Sequence, residues 1–468
     1  MTKFRKKLLS AVSLSLVFTM AFTSTGCSPK KESSGKTQIT VSNWPNKEAN
    51  PIGYEAQMKR KADFESQNPD IEIVPDEWTF ELQTFNAKAE GGTLPTIYLP
   101  FLTEASRILE NGYSYDITDL LKEYGYFNEI SDFFLDSISK DGKVYLIPGT
   151  IYSLGLGMNF DLLKEAGLVN EDGSPQIPQN FDELRVMAKT IKDKTGKAGF
   201  VLPSTSNVGG WIFSSIAWNF GVKFMEKDAE GKWKATFASP ETVEALQFFH
   251  DMKWKDNSLP ANTLINADEV SKLLGTGQAG MSIINISQVA KLPVSYDISK
   301  DSIVFAKHPA GPKDNVSLMG GGCYAIANNA TPEQADAAMK WLKFIGLFPD
   351  GSEESFENKR SSYQESYDKG KVILGLHDLS AWSVDPYFEK TGHYLVDEFL
   401  NVDESHVASY NNAEGLTYHT EEPVCTQELY SILDKCIQET LTNENVDIEA
   451  MLETYANEFQ TNYLDYAD

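Results

Sequence analysis

One spacing in this chain could do chemistry outright. In the stretch LLGTGQAGMSII, residues 273–284, Gly275, Gly277 and Gly280 stand at G-x-G-x-x-G, the pattern that lets a backbone approach a dinucleotide pyrophosphate. That use needs a strand before the first glycine and a helix starting at the last. Here the order is reversed. ADEVSKLL reads as an amphipathic helix and GMSII as a β-branched run. The glycines therefore mark a helix stop before a strand, where a left-handed position favours Gly. A structural role is expected for all three.

Other reactive constellations are as thin. The sequence holds no H-E-x-x-H, no G-x-S-x-G, no Walker lysine after a glycine loop and no C-x-x-C. The six histidines (250, 308, 377, 393, 406 and 419) are scattered, with no pair three or four apart; surface or satisfied-core roles are expected for them. With 67 acidic residues, some carboxylate pair must reach glycosidase spacing in any fold, so carboxylates alone select nothing. No catalytic residue, metal ligand or cofactor is assigned. Beyond Cys27, the three cysteines 323, 425 and 436 are an odd count that argues against a disulfide scaffold. On one helix Cys425 and Cys436 would stand about 16 Å apart, too far to bridge. All three read as buried small hydrophobes.

The elements that must position any site follow from periodicity. QITVSNW (38–44) opens as a strand, a helix covers 54–68, and IEIVPDEW is a second strand. A helix near 80–90 ends at Gly91-Gly92; TIYLPF is a third strand, with a helix from about 103 to 111. Such alternation indicates a parallel sheet covered by helices. DGKVYLIPG reads as a strand entered through an Asp-Gly turn, and LGLGMNFDLLKEAGL as a strand running into a helix. Asn180 and Glu183 cap FDELRVMAKTIKDKTG. Ser239 and Pro240 start a helix whose Val243, Leu246, Phe249 and Met252 form a buried stripe. SIVFAKHPAGP and GGGCYAIA read as strands and TPEQADAAMKWLKFIG as a helix. The last hundred residues are largely helical, ending in 426–441 and 447–463.

At 468 residues the chain is too long for one ordinary core, and two or three lobes are expected. The first 27 residues stand apart: a basic start (Lys3, Arg5, Lys6, Lys7), the apolar run 8–22, then small polar residues up to Gly26-Cys27. Such a run falls short of the roughly 20 apolar residues that span a bilayer, so this is an export signal. Ending at Gly-Cys, it resembles a bacterial lipoprotein signal in which Cys27 is lipidated, although Ser24 replaces the usual Leu. Residues 28–37 suit a flexible tether. Loss of the signal would take the net charge of −26 to about −30. That argues against a nucleic-acid partner, whose phosphates need clustered Lys and Arg.

The order of segments resembles one family, the extracellular solute-binding lipoproteins of ABC importers, of the family 1 type that usually binds sugars. KADFESQNPDIEIVP is similar to the family's first helix, Asn-Pro turn and second strand. GKVYLIPGTIYSLGLGMNFDLLKEAGL is similar to its asparagine-containing strand feeding a helix that ends in Ala-Gly-Leu. LLGTGQAGMSII takes the place of a Gly-Lys-Ala-Ala-Met element, and ANNATPEQADAAMKWLKFI that of a late Ala-rich helix. PTIYLPF lacks the Asp common after Pro, and Phe181 replaces a usual Trp. The resemblance implies an α/β, periplasmic-binding-protein-like fold: two α/β lobes joined by a hinge, with the ligand cleft between them. Lobe 1 would hold 38–149 plus 288–348, and lobe 2 150–287 plus 349–468. It also implies a monomer, without enzyme activity, that passes a carbohydrate to membrane permease subunits from a lipid anchor on the outer face of the cell membrane.

Ligands in open sheets sit beyond the carboxyl ends of strands, and sugars stack their C–H faces on aromatic rings. Trp44 after the first strand, Phe101 after the third, Tyr152 between the lobes, Trp211 at a helix start and Trp382 in SAWSVDPYF are the expected platforms. Asn43 and Glu104 are the expected hydrogen-bonding partners. The alternatives are a peptide or polyamine as ligand, a secreted glycoside hydrolase, or presentation of solute to a sensor kinase.

Overall fold

The alternating pattern of the first strand decides its face: in β1 (Thr37–Val41) Ile39 and Val41 are buried while Gln38 is exposed. In this computed structural model residues 35–375 and 380–467 are described. The signal 1–27, with Cys27 and most of the tether, lies outside them. β1 pairs in parallel with β2 (Ile71–Pro75) and β3 (Ile97–Tyr98). With β4 (Leu146–Asn159), β5 (Ala198–Phe200), β6 (Ala279–Asn285), β7 (Ile303–Lys307), β8 (Val316–Ile326) and β9 (Thr417–Thr420), they form a nine-stranded network. Its order is β2-β1-β3-β8-β4-β6-β5, with β7 on β4 and β9 on β8.

The first three strands are parallel, as their alternation with helices predicts, but the sheet as a whole is mixed. β4 and β8 run antiparallel to each other, and each also runs antiparallel to its flanking strands β6, β7 and β3. The reason lies in β4, whose 14 residues serve two pairings. Residues 146–153 pair with β8, and 154–159 pair with β6 and β7. Side chains change core at the same place. Leu146, Ile147 and Ile151 belong to a first core with β1, β2, β3 and the helix Pro332–Phe344. Leu154, Leu156 and Met158 belong to a second core, built with the helices Phe181–Thr195, Val208–Asn219, Pro240–Trp254 and Thr426–Thr442. β8 does likewise: Leu318 faces the second core and Met319 the first. Met319 lies opposite Ser153, so the two strands cross between cores in register. Glycine makes the crossing possible. A Cβ on Gly321 would stand 2.3 Å from the Thr150 carbonyl oxygen, and one on Gly149 2.4 Å from that of Gly322.

Residues 288–318, grouped by sequence with the first lobe, pack elsewhere. β7 pairs with the second half of β4, Val304 and Ala306 enter the second core, and Ile303 and Phe305 join Val289 and Leu292 in a third cluster. The helix Ile286–Tyr296 is not announced by its pattern, because Pro293 lies inside it and proline removes a helical donor. The Asn285 side chain caps it at the Gln288 N–H, and burial of Val289 and Leu292 holds it. Elsewhere local signals suffice. Asn180 accepts from the Glu183 N–H at 2.9 Å, and Thr331 forms a reciprocal cap with Gln334 before a proline. The helix Ala267–Gly275 runs through Gly277 at φ +63° into β6, the helix-to-strand order read from the opening glycines.

Candidate functional site

Tyr152 stands where β4 changes core, opposite Gly320 of β8. Its ring meets the Trp211 ring edge-on, centroids 6.2 Å apart and planes at 81°. Trp211 sits in the first turn of the helix Val208–Asn219, and its neighbours explain the Gly-Gly before it. Asp434, on the helix Thr426–Thr442, accepts the N–H groups of Asn207 and Gly210 at 2.7 Å each. The two backbones approach so closely that a Cβ on Gly210 would lie 2.3 Å from the Tyr430 carbonyl oxygen. Asp434 thus caps this helix from outside its own segment, satisfying N–H groups that a helix start leaves orphaned.

This packing delivers Trp211 to Glu421. The Tyr430 hydroxyl donates to Glu421 Oε1 at 3.1 Å, and the nearby Trp211 indole also favours the ionised carboxylate. Burial nonetheless pushes the Glu421 carboxyl up to about 8, and the charge of Glu104 adds to the rise. Beside it Glu422, bonded by the Trp218 indole N–H at 3.1 Å, is pushed by burial to about 7.

Glu104 comes from the first core, in the single turn Leu102–Glu104 that follows β3. It is 2% exposed and lies 3.2 Å from Arg107 Nε. Burial raises its carboxyl to about 7; Arg107 lowers it and the charge of Glu428 raises it. Cys425, at φ +50° before the Thr426 helix, feels the charges of Glu428, Arg107 and Glu104. Side chains from both cores therefore share one electrostatic neighbourhood, with Tyr152 and Trp211 beside it. Ser42 Oγ and Trp44 Nε1, after β1, and Glu428 Oε2, on the helix Thr426–Thr442, are buried atoms without a hydrogen-bond partner. Buried polar groups are nearly always bonded to protein, water or a ligand.

Of the residues singled out by sequence, Glu104, Tyr152 and Trp211 thus meet at this junction. Phe101 shares the β3 end with Glu104; it is half-exposed and its backbone bridges Gly322. Asn43 is exposed at φ +58°. Trp44 is 3% exposed and stacks on Trp341, with centroids 6.4 Å apart, in the first core. Trp382 packs on Tyr126 and Phe348 of that core. Glu421, Glu428 and Arg107 were not singled out by sequence. The adjacent acids of TEEPV, between a strand and a helix, are the one local hint, and nothing else separates them from 67 acids. His308 is a satisfied core residue. Its Nε2 lies 3.2 Å from Ser215 Oγ, and burial lowers it to about 4. Cys323 and Cys436 are buried, Cys425 is half-buried, and all three are free. Among the described residues no three of His, Cys, Asp and Glu are placed to share a metal ion, and no helix is long and apolar enough to cross a membrane.

The polygalacturonan/rhamnogalacturonan-binding protein YtcQ of Bacillus subtilis (strain 168) is 24% identical over 402 residues, covering 78% of this chain and 77% of its own. Maltose-bound MalE3 of T. maritima shares the fold with a TM-score of 0.63 at 21% identity, over 91% of this chain and 99% of its own. UgpB of Mycobacterium tuberculosis, in complex with glycerophosphocholine, does so with a TM-score of 0.65 at 16% identity, over 91% and 98%. These folds are those of binding proteins. Residues 59–355, more than half of this chain, match the family of bacterial extracellular solute-binding proteins, and the chain belongs to it.

Proposed function

We propose that the protein captures a carbohydrate, of oligosaccharide length, in the cleft where the two cores meet, and hands it to the permease of an ABC importer. The observation that carries this reading is the Tyr152–Trp211 pair beside Glu104 and Glu421. Two rings at right angles offer faces to sugar C–H groups, and carboxyl oxygens accept hydroxyl hydrogens. The rhamnogalacturonan-binding relative and the maltose-bound fold neighbour support it. In this reading β4 and β8 are the hinge, with one lobe built on the first core and the other on the second and third. Such strands let two lobes close about a ligand. Cys27 carries a lipid that holds a monomer at the outer face of the cell membrane, and the protein has no catalytic role.

A thermal-shift screen over mono- and oligosaccharides tests this. Ligand at 100 times its Kd adds about 2.7 kcal/mol of stability. Trp211→Ala is expected to abolish the shift while leaving a folded protein. An unmoved melting temperature with every sugar would sink the carbohydrate reading, and cleaved sugars in the same mixtures would favour a hydrolase. The convergent carboxyl groups also suit an organic cation, so spermidine belongs in the screen; stabilisation by it alone would replace the sugar with a polyamine.

A further inference from the structure

The helix that carries Trp211 takes its cap from another helix. Its N-cap residue, Asn207, is of a type that ordinarily closes a first turn with its own side chain, yet it makes no such bond. Ser206 and Asn207 both take left-handed backbone, at φ +63° and +65°, a conformation that costs free energy outside glycine. There the Asn207 amide turns away and donates to the Gln427 carbonyl oxygen at 3.1 Å. The N–H groups of Asn207 and Gly210 go instead to Oδ2 and Oδ1 of Asp434, which is 5% exposed, at 2.7 Å each. Gln438, one turn further along the same helix, donates to the Ser204 carbonyl oxygen at 2.6 Å. The contact leaves no slack, since a Cβ on Gly209 would stand 2.6 Å from Asp434 Oδ1.

We propose that Asp434 is a positioning residue for ligand binding: by holding the start of the helix Val208–Asn219 it fixes the Trp211 indole against Tyr152, and ligand affinity depends on it. This role rests on the carbohydrate reading above. A cap supplied by Asn207 itself would satisfy the same donors wherever the helix lay. A cap supplied by the helix Thr426–Thr442 does so at one placement only, because a hydrogen bond weakens steeply with distance and angle. The left-handed pair is the cost of that exchange. Trp211 follows Gly210 directly, so any shift of the first turn moves the indole. Its edge-on contact with Tyr152, 6.2 Å between centroids, shifts with it, and a binding group must be held within about 0.5 Å of its productive place by the residues that support it. An ionised acceptor suits the task, since hydrogen bonds to charged groups are the stronger kind. The amide of an asparagine would turn a donor toward one of the two N–H groups.

Two variants separate placement from stability. Asp434→Asn keeps the size of the side chain, and Asp434→Glu keeps its charge but moves it by one methylene. Each is titrated calorimetrically, well below its melting temperature, with the saccharide that stabilises the wild type most in the screen, maltotriose and trigalacturonate being among the probes. Both folded variants are expected to bind about tenfold more weakly than the wild type. A role in stability alone would lower the melting temperature and leave the affinity of the folded protein unchanged. With fluorotryptophan incorporated, the fluorine resonance of Trp211, assigned by its loss in Trp211→Phe, should move in both variants without any ligand. Those of Trp341 and Trp382, in the first core, should stay. If one variant does not fold, the other serves; if neither folds, Asp434 is a stability residue and the proposal is overturned. Unchanged affinity in a folded variant, or an unmoved Trp211 resonance, also overturns it and leaves the carbohydrate reading standing. If no saccharide binds the wild type, the carbohydrate reading fails and the link from Asp434 to affinity falls with it.

Discussion

Replacing Glu421 by Gln should make the protein more stable in mild alkali. The Glu421 carboxyl is raised from an ordinary 4.5 to about 8, first by burial. Between those values the folded protein holds a proton that the unfolded chain releases, so this contribution is complete below pH about 4.5 and is lost as pH rises through about 8. Each unit is worth about 1.4 kcal/mol, so the whole shift corresponds to at most ~5 kcal/mol. The residue keeps partial exposure, and screening brings the expected effect nearer ~2–3 kcal/mol. Glutamine retains an oxygen for the Tyr430 hydroxyl, which donates at 3.1 Å, but cannot ionise. Scanning calorimetry of both proteins from pH 5 to 9 is the assay. The melting temperatures should nearly coincide at pH 5 and diverge by several degrees in favour of the variant at pH 8.5. Parallel curves across the range, or a variant less stable at pH 8.5, would refute the reasoning. The carboxyl would then be hydrated and titrate as an ordinary acid.

The remaining predictions probe the crossing strands and the cysteines. Gly321→Ala puts a Cβ 2.3 Å from the Thr150 carbonyl oxygen, a backbone clash expected to cost about 2 kcal/mol or more; a melting temperature within a degree of the wild type would contradict it. Burial raises the Cys323 thiol to about 12 and that of Cys436 further, while Cys425 is half-buried. Mass spectrometry after brief native alkylation should therefore find Cys425 modified ahead of both, with all three reactive in denaturant.

Much of the fold was legible because its signals are local. A side-chain oxygen three residues before an N–H, as with Asn180 and Glu183, starts a helix whatever surrounds it. Apolar alternation in β1 and the flanks of Gly275–Gly280 likewise need no distant partner, and so a false cofactor fingerprint could be set aside on sequence order. Trp44 shows the limit. Its place after β1 follows from the pattern, but whether the indole meets a ligand or packs on Trp341 depends on a helix almost 300 residues away in the chain. The same limit moved 288–318 onto the second and third clusters, since the strand partner of β7 is not encoded in β7.

The sequence by itself determined the element types, the export-like start, the negative charge and the family resemblance, because caps, periodicity and composition act over a few residues or over the whole chain. Tertiary structure alone decided what surrounds the carboxyl groups. Glu104, an expected ligand partner, and Glu421, which nothing singled out among 67 acids, are more than 300 residues apart. They acquire their properties only where β4 and β8 cross between cores, because desolvation and like-charge repulsion belong to what lies opposite in space.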